Sequence, residues 1–217
     1  VQETLTRLLV YVPILLLGLS AHEAAHAWVA FKRGDPTAKD LGRVTLLPFA
    51  HLDLWGSLVV PVMLLAVQAP FLFGYAKPTP VNPAKLRSPK RDFSAVALAG
   101  PGANFLLALV FVGLGALLFR GLGVENPEAR LLVGAGIVIN VLLAWINLLP
   151  LPGFDGLKAL YVFLPDEWCW RLQKGNQLIF PVLVLVLVLG LLNMALVPAF
   201  SIGAGLCSVA GAGQPPL

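Results

Sequence analysis

Three stretches of this chain, Phe93–Phe119, Leu131–Phe154 and about Leu178–Phe200, contain no acidic or basic residue. Each is long enough to cross a bilayer, which takes about 20 apolar residues as a helix. Such runs leave few folds open. Hydrocarbon satisfies no backbone N–H or C=O, so a spanning segment must satisfy its own. A fourth run, Leu8–Phe31, has Glu23 as its one acidic or basic residue. A fifth, Leu54–Ala76, is uncharged but interrupted by Pro61 and Pro70. Composition agrees: 58% hydrophobic, 12% charged and mean hydropathy +0.85 lie in the range of membrane proteins. The expected fold is an all-α polytopic membrane protein, a helical bundle of four to five membrane segments. Residues 1–200 read as a single integral-membrane domain, and 201–217, rich in Gly and Pro, as a disordered tail. A short β element is expected after the first span, where Arg43-Val44-Thr45-Leu46-Leu47 stands between Gly42 and Pro48.

Lysine and arginine set the expected topology. The loop Lys32–Asp53 holds four and Lys77–Asp92 holds five; the loops near Arg120–Arg130 and Lys158–Lys174 hold two and three. Positive-inside bias puts the first, second and fourth of these in the cytoplasm. Leu54–Ala76 then joins two cytoplasmic loops and is expected to cross an even number of times, as a re-entrant or surface-lying segment, with a single crossing left open. The basic residues have no aromatic interleaving, so they read as topology signals and nucleic acid is set aside. Cys169 and Cys207 form no C-x-x-C pair and are expected to be free thiols.

Within the first span stands His22-Glu23-Ala24-Ala25-His26. An ionisable cluster at membrane depth is costly and marks a functional site. On a helix, positions i and i+4 share a face, so His22 and His26 can present two imidazoles to one zinc ion, with Glu23 beside them as base. Catalytic zinc sites usually take three protein ligands. The remaining candidates are His51, in a loop, and Asp155, in Asn147-Leu148-Leu149-Pro150-Leu151-Pro152-Gly153-Phe154-Asp155-Gly156. Charge favours Asp155, since a carboxylate lowers the cost of burying a dication. An amide such as Asn147 is suited to donate to a developing oxyanion.

These residues together resemble the site-2 protease family of intramembrane zinc metalloproteases. His22–His26 matches its zinc-binding helix, and Asn147 through Gly156 its distal N-x-x-P…D-G segment. Ala99-Gly100-Pro101-Gly102-Ala103-Asn104 resembles its G-P-x-x-N segment. Gly74-Tyr75-Ala76-Lys77-Pro78-Thr79-Pro80-Val81-Asn82-Pro83 and Pro48–Asp53 resemble a compact bacterial subgroup without a PDZ domain. The resemblance implies one Zn2+ per chain on His22, His26 and Asp155, Glu23 as general base, and Asn147 lining the catalytic centre. It leaves the roles of Asn104 and His51 unassigned. The expected activity is hydrolysis of peptide bonds within or near transmembrane segments, at the cytoplasmic side of a multi-pass cell-membrane protein. The expected partners are a membrane-protein substrate and the lipid bilayer, with a regulatory membrane partner left open. A zinc hydrolase of a non-peptide substrate shares the ligands. A transporter is expected to carry paired broken helices or inverted repeats, which the sequence does not display.

Overall fold

The computed structural model describes residues 2–59, 63, 76–174 and 191–214. Its frame is three long helices. α1 is Gln2–Lys32 and is followed by a four-residue turn of helix, α2, Thr37–Asp40. α3 is Pro89–Gly115, extended to Gly121 by a π-helical turn, and α4 is Pro127–Leu148. α5, Asp155–Ala159, and α6, Asp166–Lys174, are short; α7 is Leu191–Ala210.

Local signals explain the helix starts. Pro89 and Pro127 sit in the first turn, where proline's fixed φ suits a helix and its missing N–H costs nothing. Asn126 caps α4 by accepting from the Ala129 N–H at 2.7 Å. Pro13, Pro101 and Pro198 lie inside helices, as membrane helices tolerate when neighbours satisfy the freed carbonyl.

Among the described residues, Leu9–Lys32, Pro89–Gly121 and Pro127–Leu148 are long and apolar enough to cross a membrane. Ala108, Val133, Ile137, Val138, Ala199 and Cys207 form the core between α3, α4 and α7. Leu106, Val110 and Leu117 are more than half exposed. That outward apolar surface suits lipid, which offers no hydrophobic penalty to it. Cys169 and Cys207 are buried free thiols.

Several expectations change. No strand forms among the described residues. The segment from Arg43 to Leu47 finds no partner strand; side chains satisfy the loop instead. Arg43 Nη1 donates to Ala50 O, and His51 Nε2 donates to Thr45 O at 2.9 Å. The expected span ending near Phe154 stops at Leu148, because Pro150 and Pro152 follow. The expected tail from Ser201 is helical through Ala210, with Cys207 and Ala210 in the core. Its glycines allow close packing: a Cβ on Gly203 would lie 3.3 Å from Val138. Of Leu54–Ala76, a π turn over Leu54–Val59 is described, while most of the rest lies outside the described residues, as do residues 178–190 of the expected last span.

The loops flanking residues 60–75 meet. Lys77 N donates to His51 O at 2.8 Å, and Arg87 N to Arg33 O at 3.1 Å. Arg33 pairs with Asp92 at 3.1 Å, and Asn82 N donates to Asp35 at 2.6 Å. The end of α1 and the start of α3 therefore sit at one end of the bundle, and α1 and α3 run antiparallel.

Asp35 is the hub of this junction. Its two oxygens take the Thr37 N–H and hydroxyl and the Asn82 N–H. Burial raises its pKa, but the Thr37 hydroxyl, these N–H groups and Lys85 outweigh that and hold it below the ordinary value. A carboxyl depressed in the fold contributes stability above its unfolded pKa, about 3.9, and loses it as pH falls through the folded value. Acidification below about pH 4 should thus lower the protection of the Asn82 amide relative to its intrinsic exchange rate, and Asp35→Ala should do so at neutral pH. Unchanged Asn82 exchange in Asp35→Ala would contradict the assignment.

Candidate metal centre

Two helical stripes build the centre. On α1, Gly18, His22 and His26 recur every four residues, so they lie on one face. On α3, Val96, Gly100 and Asn104 do the same. The helices run antiparallel, so the stripes meet in reverse order. Asn104 faces Gly18 and His22, Gly100 faces both histidines, and Val96 faces His26. Interlocking four-residue ridges are a common way for helices to pack.

Each imidazole is oriented by this contact. His26 Nδ1 donates to Val96 O at 2.7 Å. His22 Nδ1 donates to Asn104 Oδ1 at 2.7 Å. The Asn104 orientation follows from its nitrogen, which donates to Gly18 O at 2.9 Å and Asn140 Oδ1 at 3.0 Å. Asn140 in turn donates to Gly136 O. Both asparagines are fully buried, so their amides have few other partners to choose from. With Nδ1 protonated on each ring, Nε2 keeps its lone pair.

Both Nε2 atoms lie 3.0 Å from Asp155 Oδ2. Asp155 begins α5, just past the break that ends α4. The ammonium of Lys158 donates to the other Asp155 oxygen, Oδ1, at 2.9 Å. Gly156 packs against the Leu148 and Leu149 carbonyls so closely that a Cβ has no room. That contact folds the D-G turn back onto the end of α4.

His22, His26 and Asp155 are all buried, and their ligand atoms lie within 4.8 Å of one another. Three lone-pair donors converging in a dry site repel unless a cation joins them. Two imidazoles and a carboxylate suit zinc and match the three-ligand pattern of catalytic sites. The ring N–H groups held by Asn104 and Val96 supply the outer partners that metal-bound histidines ordinarily have. The residues present therefore fit a zinc ion.

Glu23, next to His22, has its Oε2 bonded to the Thr79 N–H at 2.8 Å. Asn147 Nδ2 donates to Leu143 O in its own helix at 2.9 Å. His51 lies in the loop before residue 52 and is not among the three clustered residues. Sequence reading did not identify Asn140, Lys158 or Thr79. Asn140 carried a readable signal, as one of two amides inside an otherwise apolar span. Thr79 stood inside the lysine–proline segment already singled out, without a role of its own, and Lys158 carried no signal.

Replacing Asn104 by Leu should lower metal affinity by about 10- to 100-fold, the usual effect of losing a ligand's outer partner. It should also cost about 1–3 kcal/mol of stability, because Asn140 and His22 lose their partner. Chelator competition and thermal unfolding measure the two. Wild-type affinity in this variant would mean Asn104 only packs the helices.

The fold and the cluster together define a helical membrane protein with a buried His-His-Asp centre. The chain is 34% identical over 195 residues to "Putative zinc metalloprotease YwhC" of Bacillus subtilis, covering 87% of this chain and 84% of that one. It is 31% identical to "Putative zinc metalloprotease Rip2" of Mycolicibacterium smegmatis over 185 residues, 82% of this chain and 66% of that one. The Rip2 of Mycobacterium tuberculosis is 29% identical over 180 residues, with the same coverage. No family model and no solved structure matches. The chain belongs to the zinc metalloprotease family that these relatives represent.

Proposed function

We propose that this chain is an intramembrane zinc endopeptidase of the site-2 protease type, hydrolysing peptide bonds within or near transmembrane segments of membrane-protein substrates. One observation carries the reading. The three ligand atoms converge in a buried site where α5 meets helices apolar enough to span a membrane, with a glutamate one residue from a ligand. His22, His26 and Asp155 hold the metal, and Glu23 is the general base. When bound, zinc supplies a Lewis acid that polarises a carbonyl and acidifies water.

The chain's own residues do the rest. Asn104 and Val96 fix the imidazoles, and Lys158 steadies Asp155. Glu23 takes a proton from the attacking water and returns it to the leaving amine. Asn147 serves as oxyanion donor once it releases its bond to Leu143. His26 lies six residues before Lys32, about 9 Å along the helix, so water has a short path from the basic, cytoplasmic end. Substrate access draws support from an open apolar groove of about 480 Å³ lined by Ala21, Ala24, Trp28, Leu46, Ala103 and Leu106. It borders the helix turn that carries Glu23, and an apolar peptide segment fits it.

The test uses purified protein in proteoliposomes with a single-span peptide reporter. Chelation should stop cleavage and zinc should restore it. His22→Ala, His26→Ala and Asp155→Ala should each lose the metal and the activity. Full zinc retention in Asp155→Ala would overturn the ligand assignment. Hydrolysis of esters or lipids with no cleavage of the reporter would favour the non-peptide hydrolase.

A further inference from the structure

We propose that Thr79 is a positioning residue for Glu23, and that residues 76–82 form a strut that holds the base in place; this rests on the reading of Glu23 as general base. Two groups of Thr79 grip one residue of α1. Its N–H donates to Glu23 Oε2 at 2.8 Å, and its hydroxyl donates to the Glu23 main-chain carbonyl at 3.0 Å. Among the described residues, Oε1 of Glu23 takes no partner. One carboxylate oxygen is therefore fixed and the other is left to accept a proton.

The surrounding sequence suits a strut. Pro78 and Pro80 flank Thr79. Proline fixes φ and biases its predecessor to extended backbone, so the segment loses little entropy on ordering. Both prolines also lack an N–H, which leaves Thr79 with the one amide between Lys77 and Val81. The segment is pinned on either side. Lys77 N donates to the carbonyl of buried His51 at 2.8 Å, and Asn82 N donates to buried Asp35 at 2.6 Å. A flexible glutamate side chain loses rotamer freedom to such a fixed donor. A base displaced by about 1 Å loses on the order of 100-fold in rate.

The variants separate the two contacts. T79V keeps the amide and loses the hydroxyl. T79P removes both. T79P should lower kcat by about 100-fold with KM and zinc content near wild type. T79V should show a smaller loss, and T79S should recover most of it. Hydrogen exchange on the metal-free protein gives a readout independent of catalysis: the Thr79 amide should be protected, and E23A should remove that protection. In the E23Q background, T79P should add no further loss. Wild-type kcat in T79P, an effect confined to KM or to zinc content, a rate increase, or unchanged Thr79 exchange in E23A would each overturn the proposal. A rate increase would show that the segment obstructs substrate. An active E23Q enzyme would instead overturn the reading of Glu23 itself, whatever T79P does.

Discussion

Glu23→Gln should lower peptide hydrolysis by about 1,000-fold, inside the range of about 10²–10⁴ that a positioned general base contributes, and leave zinc bound. Glutamine keeps the length of the side chain, and its amide oxygen still accepts the Thr79 N–H that Oε2 accepts now. What it loses is the capacity to take a proton. The cluster is untouched, since His22, His26 and Asp155 keep their partners Asn104, Val96 and Lys158. Metal content and single-turnover cleavage of the single-span reporter, measured on the same preparation, separate chemistry from binding. Activity within tenfold of wild type would mean that another group activates the water.

Gly100→Ala should empty the centre. Judged as a helix position, the change should help, since alanine is about 1 kcal/mol more favourable than glycine inside a helix. The site gives the opposite sign. A Cβ at position 100 would lie 2.5 Å from Nε2 of both His22 and His26, which no real contact shows. Those are the two atoms that would ligate the metal, so the methyl occupies the space between the rings and displaces both. Metal affinity should fall by about 100-fold or more, the upper end of what loss of an orienting partner causes, and hydrolysis should fall with it. Helical content by circular dichroism should stay unchanged. A variant with wild-type zinc affinity would show that the helices separate readily at this point.

The Gly100 result shows what kind of information the sequence carried. His22 and His26 were legible because helix periodicity is local: four residues apart always means one face. The apolar runs were legible because lipid imposes its own arithmetic on length and charge. The ends of those runs were less so. Hydrophobicity alone carried the third span to Phe154, while the chain stops at Leu148 because two prolines follow. Composition alone made residues 201–217 look unstructured; small residues there pack closely against α4 instead.

By itself, then, the sequence determined an all-helical membrane chain, the histidine pair with its glutamate, and Asp155 as a candidate carboxylate at a helix break. Its curated relatives give the zinc metalloprotease family. Only the tertiary structure decided which groups serve those residues. Asp155 reaches Oδ2 to both Nε2 atoms from 129 and 133 positions away. Asn104 and Val96 set the tautomers, Asn140 sets Asn104, and Thr79 holds Glu23. None of these pairings follows from periodicity, because each joins two helices or a helix and a loop. Asn147, marked by a motif position, bonds the Leu143 carbonyl of its own helix through Nδ2. Local spacing fixes what a helix presents on one face. Which atoms meet that face depends on how far one helix slides along the next, and that register is set by the close approach Gly100 permits.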